Sequence, residues 1–219
     1  MRKMENKKHV FWQAFFVTVL IFLVGLVLGV YLEQIRADSF SIAFYDSEVS
    51  LYDSFALGKF IEGNFTSCEN LKEASINFAD KIYLEAIDLE KYDEKNKLTE
   101  SIKSVHRKYD LLRTILWINL IDLKSECDEI NTVVYFYVYD TDNIETKSSQ
   151  IVWERILSEV KEKEGNDIIL IPIAIDQNIE SLDLLIGKYK IEKFPAVLVN
   201  EKDVFYEHRT SDEIQGYLN

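Results

Sequence analysis

The 23 residues from Val10 to Leu32 carry no charge and are dominated by Phe, Val, Leu and Ile, and no other stretch restricts the chain as strongly. At about 1.5 Å per residue, a helix of that length crosses a hydrocarbon core of roughly 30 Å. A cleaved signal peptide has an apolar core of only about 7–15 residues followed by small residues. Here the run is longer and ends in Tyr31-Leu32-Glu33, so an uncleaved anchor is expected. Arg2, Lys3, Lys7 and Lys8 precede it against Glu5, whereas Arg36 beyond it is offset by Glu33 and Asp38. The positive-inside bias then leaves residues 1–9 as a cytoplasmic tip, with 10–32 as the span and everything after it exported. The net charge of −13 divides accordingly: four basic and one acidic residue precede the span, so the exported remainder carries −16. That acidity argues against a nucleic-acid partner, because polyphosphate binding needs an electropositive surface. Gly25 and Gly29 have the small-xxx-small spacing through which two such helices approach as a homodimer, although Gly is also common in membrane helices for other reasons.

Only 7 Gly and 2 Pro occur in 219 residues, too few for a turn-rich all-β fold, so the class expected is helical or α/β. Residues 33–130 read as a helical stalk. Apolar positions at Phe40, Phe44, Tyr52, Phe55 and Phe60, with Val49 and Leu51 between, predict a juxtamembrane helix from Ser39 to about Glu62. Gly63-Asn64 breaks it, and Thr66 with Glu69 has the form of a capping box for the next helix. That helix presents Leu71, Ala74, Phe78, Ile82, Ala86 and Leu89. After a polar turn over Lys91 to Lys97, a third helix repeats Leu98, Ile102, Val105, Tyr109, Leu112, Leu116 and Leu123, interrupted only at Asn119. Two helices joined by a short turn lie antiparallel. Their outer ends carry Cys68 and Cys127, whose midpoint falls in the turn, so a Cys68–Cys127 disulfide is expected, with two buried thiols as the alternative. Asn64-Phe65-Thr66 is a glycosylation sequon, making Asn64 a candidate acceptor.

From residue 131 the period changes. Thr132 to Tyr139 predicts a strand, Ser148 to Glu164 an amphipathic helix carrying Ile151, Val152, Ile156, Leu157 and Val160, and Ile168 to Ile175 a second strand. A short helix with Leu182, Leu185 and Ile186 follows. Then come a strand over Ala196-Val197-Leu198-Val199, a turn at Asn200 to Asp203, a strand over Val204 to Glu207 and a last helix from Ser211 to Leu218. Tyr135, Tyr137 and Tyr139 are most simply packed strand residues, with a peptide-contact surface as the other reading. Pro172 lies inside a strand, where its missing N–H would break a ladder; if no further strand flanks that strand on its other side it lies at a sheet edge, which the stalk hairpin or a partner's strand must cover.

This order of elements over 131–219, with Lys193-Phe194-Pro195-Ala196 ahead of the third strand, resembles the thioredoxin-like fold. The whole arrangement of anchor, two-cysteine stalk and distal domain resembles membrane-anchored thioredoxin-like proteins of archaea. The resemblance implies a central mixed sheet of about four strands and a cis peptide at Pro195. It also implies a peptide-contact region at Phe194 and Pro195 together with the loop Asp140 to Gln150, where Lys147, Ser148, Ser149 and Gln150 stand in place of the family's Cys-x-x-Cys. A hydroxyl cannot perform thiol–disulfide exchange.

The function expected is therefore a single-pass, extracytoplasmic binding or scaffolding protein with a redox-inactive thioredoxin-like domain and a protein partner. A thiol oxidoreductase or isomerase working through Cys68 and Cys127 is one alternative. A purely structural coiled-coil membrane protein, pairing through Gly25/Gly29 and the Leu98 to Leu123 seam, is another. No cofactor or metal spacing is present: His9, His106 and His208 are scattered, His106 reads as a solvated helix position, and no Gly-rich phosphate loop occurs.

Overall fold

The structure is a computed structural model and describes residues 7–63, 65–93, 100–127 and 130–218. It divides into two units, Met1–Tyr45 and Asp46–Asn219. Helix α1 (Lys7–Glu62) contributes to both. In the first unit it includes a candidate membrane span, Val10–Ile35, with mean hydropathy 2.8 and no residue buried. A Cβ added at Gly25 or Gly29 meets no atom of this chain.

The second unit contains α2 (Cys68–Asp93), α3 (Glu100–Glu126), β1 (Asn131–Tyr137), α4 (Ile144–Glu164) and β2 (Ile168–Ala174). These are followed by α5 (Glu180–Tyr189), β3 (Ala196–Val199), β4 (Asp203–Phe205) and α6 (Ser211–Gln215). The helices α2 and α3 belong to the same compact unit as the sheet. The four strands form one mixed sheet in the order β2-β1-β3-β4. β1 and β2 are parallel, joined by α4, and β3 is antiparallel to both β1 and β4. Alternation along the strands sends Val133, Tyr135, Val197 and Val199 to one face, where Trp153, Leu157 and Val160 of α4 and Ile214 of α6 cover them. The opposite face presents Phe136 to Trp117 of α3, at 5.6 Å between ring centroids, and Trp117 also stacks on Tyr189 of α5 at 5.4 Å.

Several local expectations are corrected. The helix expected from Ser39 to about Glu62 ends there but begins earlier, since α1 runs Lys7–Glu62. Its inward face is made not of the aromatic residues but of Ser47, Ser50, Ser54 and Ile61, all buried, while Val49, Tyr52, Phe55 and Phe60 are exposed. The cap of α2 falls one residue later than Thr66: the Ser67 hydroxyl accepts from Asn70 N at 3.4 Å, and Thr66 Oγ1 takes the Asn70 side chain. Ala74 is exposed. The described end of α2 is Asp93, and residues 94–99 of the expected turn lie outside the described residues. Helix α4 starts at Ile144, because the Asn143 side chain accepts from Glu145 N and Thr146 N. Ile151 and Val152 therefore face solvent, while Trp153 is fully buried.

The interruption at Asn119 in α3 has a packing cause. Its amide is buried, and Nδ2 donates to Ser54 O of α1 at 2.9 Å. A Cβ at Gly58 would lie 2.7 Å from Asn119 Oδ1, so α1 and α3 approach where one side chain is absent and the other is bonded across. Gly58→Val is expected to lower stability by about 1–3 kcal/mol, read as a reduced denaturant midpoint, while Gly187→Val, where an added Cβ meets nothing, is expected to leave the midpoint unchanged or raise it slightly, because Val is the better helix former.

Candidate functional site

In sheets with parallel strands, ligands bind at the strands' C-terminal ends. Here that end is built from the segments after β1 and β2, and both are held by side chains. Gln150, buried on α4, accepts from Val138 N at 3.0 Å and donates to Val138 O at 3.1 Å, continuing the hydrogen bonding of β1 past its last residue. Asp176 accepts from both Tyr139 N and Asp140 N, at 2.9 and 2.8 Å. Helix α3 closes the site: Lys103 Nζ lies 3.5 Å from Asp140 Oδ2, and Arg107 donates to Asn178 O at 2.7 Å. Lys103, Arg107, Tyr139, Asp140, Asp176 and Asn178 line an open polar cleft of about 360 Å³. His106, read from sequence as solvated, is buried against Tyr139 with ring centroids 4.5 Å apart. The sequence gives no hint of this, since His106 leaves the solvated face only because β1 ends beside it.

The expected contact residues are separated by role. Lys147 and Ser148 are exposed in the first turns of α4, not in a loop. Ser149 Oγ lies 3.1 Å from His208 Nε2, but the same nitrogen is 3.1 Å from Ser149 O. When that nitrogen donates to the carbonyl it cannot accept the hydroxyl proton, so the pair fastens the segment after β4 to α4 rather than forming a nucleophile and base. Gln150 is a buried tie. Phe194 is half-buried against Phe136, at 6.4 Å between centroids, and Pro195 is buried behind a cis Phe194–Pro195 bond. Burial pushes the Tyr135 hydroxyl well above the ordinary tyrosine range and keeps it protonated; it donates to Gln150 O. Among the described residues no group of His, Cys, Asp and Glu is arranged to hold a metal.

The cysteines lie at the other end of β1. Cys68 at the start of α2 and Cys127 after α3 are bonded, with Cα atoms 5.8 Å apart. They line an open cleft of about 900 Å³ with Glu69, Glu73, Glu126 and Asp167. Seven strand residues, about 20 Å, separate this end from the segment after β1. The sequon residue Asn64 lies outside the described residues.

Beneath the first cleft is the least legible feature of the sequence, Asp110. It is 1% exposed, accepts from Arg113 Nη1 at 3.2 Å, and accepts from Ala174 N at 3.1 Å. Ile175 N donates to Tyr137 O of β1, so the backbone of Ala174, one residue earlier, faces the sheet's outer edge. Pro172 has the same parity and withholds no donor from β1. Ile168 O, also of that parity, accepts from Lys161 at 3.0 Å. The edge strand that Pro172 implied is thus closed by a carboxylate, a proline and a lysine, with α2 and α3 packed on it. No protein-family model matches the chain, and no curated protein matches it.

Burial is the largest influence on Asp110 and raises its pKa from 3.8 to about 6, against the opposing pull of Arg113. A folded-state value above the unfolded one favours folding fully below about pH 3.8, and this contribution is lost as pH rises through about 6. Between pH 8 and pH 5 the shift adds about 1 kcal/mol of stability. Asp110→Asn, whose amide oxygen still accepts from Ala174, is expected to lose that part of the slope. Urea midpoints of both proteins at the two pH values check it, and parallel pH profiles would contradict it.

Proposed function

We propose that the chain is a single-pass membrane-anchored protein whose exported part carries a thioredoxin-like domain without redox chemistry, used to bind or scaffold a protein or peptide. The observation that carries this reading is the disposition of the cysteines. The segment after β1 and the first turns of α4 contain no thiol, while both cysteines are bonded to each other beyond the opposite end of the strand. The strand order β2-β1-β3-β4, the α4 crossover and the placement of Phe194-Pro195 before β3 support the thioredoxin-like assignment. The apolar span with basic residues ahead of it and −16 beyond it supports an N-terminus in the cytoplasm and export of the rest. Ligand contact is assigned to the exposed Lys147 and Ser148 together with Phe194 at the C-terminal end of β1.

One feature favours thiol chemistry instead. Cys68 is exposed at the first residue of a 26-residue helix, where an attacking thiolate can reach the disulfide. An insulin-reduction assay separates the two readings: no turnover, unchanged by Cys68→Ser, is expected, and turnover abolished by that substitution overturns the non-catalytic proposal. The coiled-coil alternative loses its seam, because Val105, Tyr109, Leu112, Leu116 and Leu123 are buried within this chain. Proximity labelling in cells is expected to recover a repeatable partner that is lost when Lys147 and Ser148 are both replaced by Glu.

A further inference from the structure

The part of α1 in the second unit has its polarity reversed. Its buried face includes the small residues Ser47, Ser50 and Ser54 as well as Ile61, with Gly58 against Asn119 of α3, and the buried hydroxyls of Ser50 and Ser54 find no hydrogen-bond partner among the described residues. At 100° per residue, Val49, Tyr52, Ala56 and Phe60 recur in steps of three and four on the opposite face, with Phe55 beside them. Val49, Tyr52, Phe55 and Phe60 are 51–73% exposed, and Phe65, also exposed, stacks edge-on against Phe60 at 5.6 Å. The larger apolar surface of this helix segment is therefore turned away from its own fold. A contiguous patch of this kind marks an interaction surface.

We propose that this face pairs with the same face of a second copy of the chain, side by side and parallel. The area favours it. With each aromatic side chain contributing on the order of 100–150 Å² from its exposed fraction, the patch offers roughly 600 Å² per copy, so a symmetric pair buries about 1,200 Å² in total, at the threshold of a specific interface. The charges permit it. Of the acids beside the patch, Glu48 and Glu62 are neutralised within their own chain by Lys108 at 3.5 Å and Lys59 at 2.6 Å, which leaves the exposed Asp53 at the rim as the charge that two identical faces must hold apart. The pairing is isologous, with Tyr52 facing Tyr52 and Phe60 facing Phe60. The parallel sense rests on the anchored reading proposed above, since both copies enter the bilayer by the same end.

The test uses the full chain reconstituted in vesicles. Because the native cysteines are bonded to each other, a short bis-maleimide reacts only with an introduced thiol. Tyr52→Cys and Phe60→Cys are each expected to cross-link to their own kind, while Ile151→Cys, exposed on α4, does not. Tyr52→Lys combined with Phe60→Lys is expected to halve the protein mass found by light scattering in detergent without moving the thermal midpoint. Cross-linking at Tyr52→Cys no greater than at Ile151→Cys, or wild-type protein of one-chain mass, overturns the proposal. So does linkage confined to mixtures of the Tyr52→Cys and Phe60→Cys chains, which means an antiparallel pair. A spin label at Tyr52→Cys that is relaxed by lipid-dissolved oxygen rather than broadened by its twin assigns the face to the bilayer and also overturns it. Release of the chain from membranes by alkaline carbonate refutes the anchor alone, because the cross-link reports pairing in either case.

Discussion

The second unit depends on the burial of α3. From Leu112 to Leu120 only Ile118 is more than marginally accessible, so this helix is a core element with neighbours on several sides. Asn119 and Lys108 reach α1, the hairpin partner α2 packs along it, and Trp117 lies on Phe136 of the central strand. A helix so enclosed cannot leave its polar groups unmet. Trp117 Nε1 donates to Glu201 at 3.0 Å, and Lys124 donates to Glu201 and Asn200, each at 2.8 Å. The same two turn residues hold β1, since Thr132 donates from its amide to Asn200 and from its hydroxyl to Glu201.

That network explains an unusual hairpin. Asn200 and Glu201 both adopt positive φ, 52° and 55°, as the central pair of the tight turn that Lys202 N closes onto Val199 O between β3 and β4. Asn tolerates that conformation, but a long side chain such as Glu does so at a cost. The bonds from Trp117, Thr132 and Lys124 offset it and place a carboxylate where a glycine would ordinarily serve. The hairpin is therefore secured by α3 rather than by its own turn chemistry. Likewise, the β2 edge is closed by Asp110 from α3 and Lys161 from α4. In both places a charged side chain from a helix completes what the backbone leaves open.

The two ends of β1 consequently have different chemical characters. Its start is joined to the disulfide-bonded ends of α2 and α3 and an acidic cleft. Its end opens on a cleft of mixed charge whose loops are fixed by Gln150 and Asp176. This end holds no thiol and presents the exposed start of α4, which is what the proposed recognition role draws on. The α1 patch lies on another element, so the proposed pairing and the proposed recognition use separate surfaces.

Much of this was legible in the residues. The uncharged run, the hairpin with Cys68 and Cys127 at its ends, the strand–helix–strand order and the edge position of Pro172 each follow from local periodicity, spacing or a missing N–H, properties a segment carries with it. What was not legible depends on which surface meets which. The apolar spacing of α1 predicts a helix without saying which face turns inward, and Ser54 and Gly58 lie inside, where α3 approaches closely. Asp110, His106, Gln150 and Glu201 looked like ordinary polar positions. Each became structural only when the tertiary fold brought a strand end or a tight turn beside it, because the hydrogen-bonding need that such a side chain meets belongs to a distant segment and leaves no trace in its own.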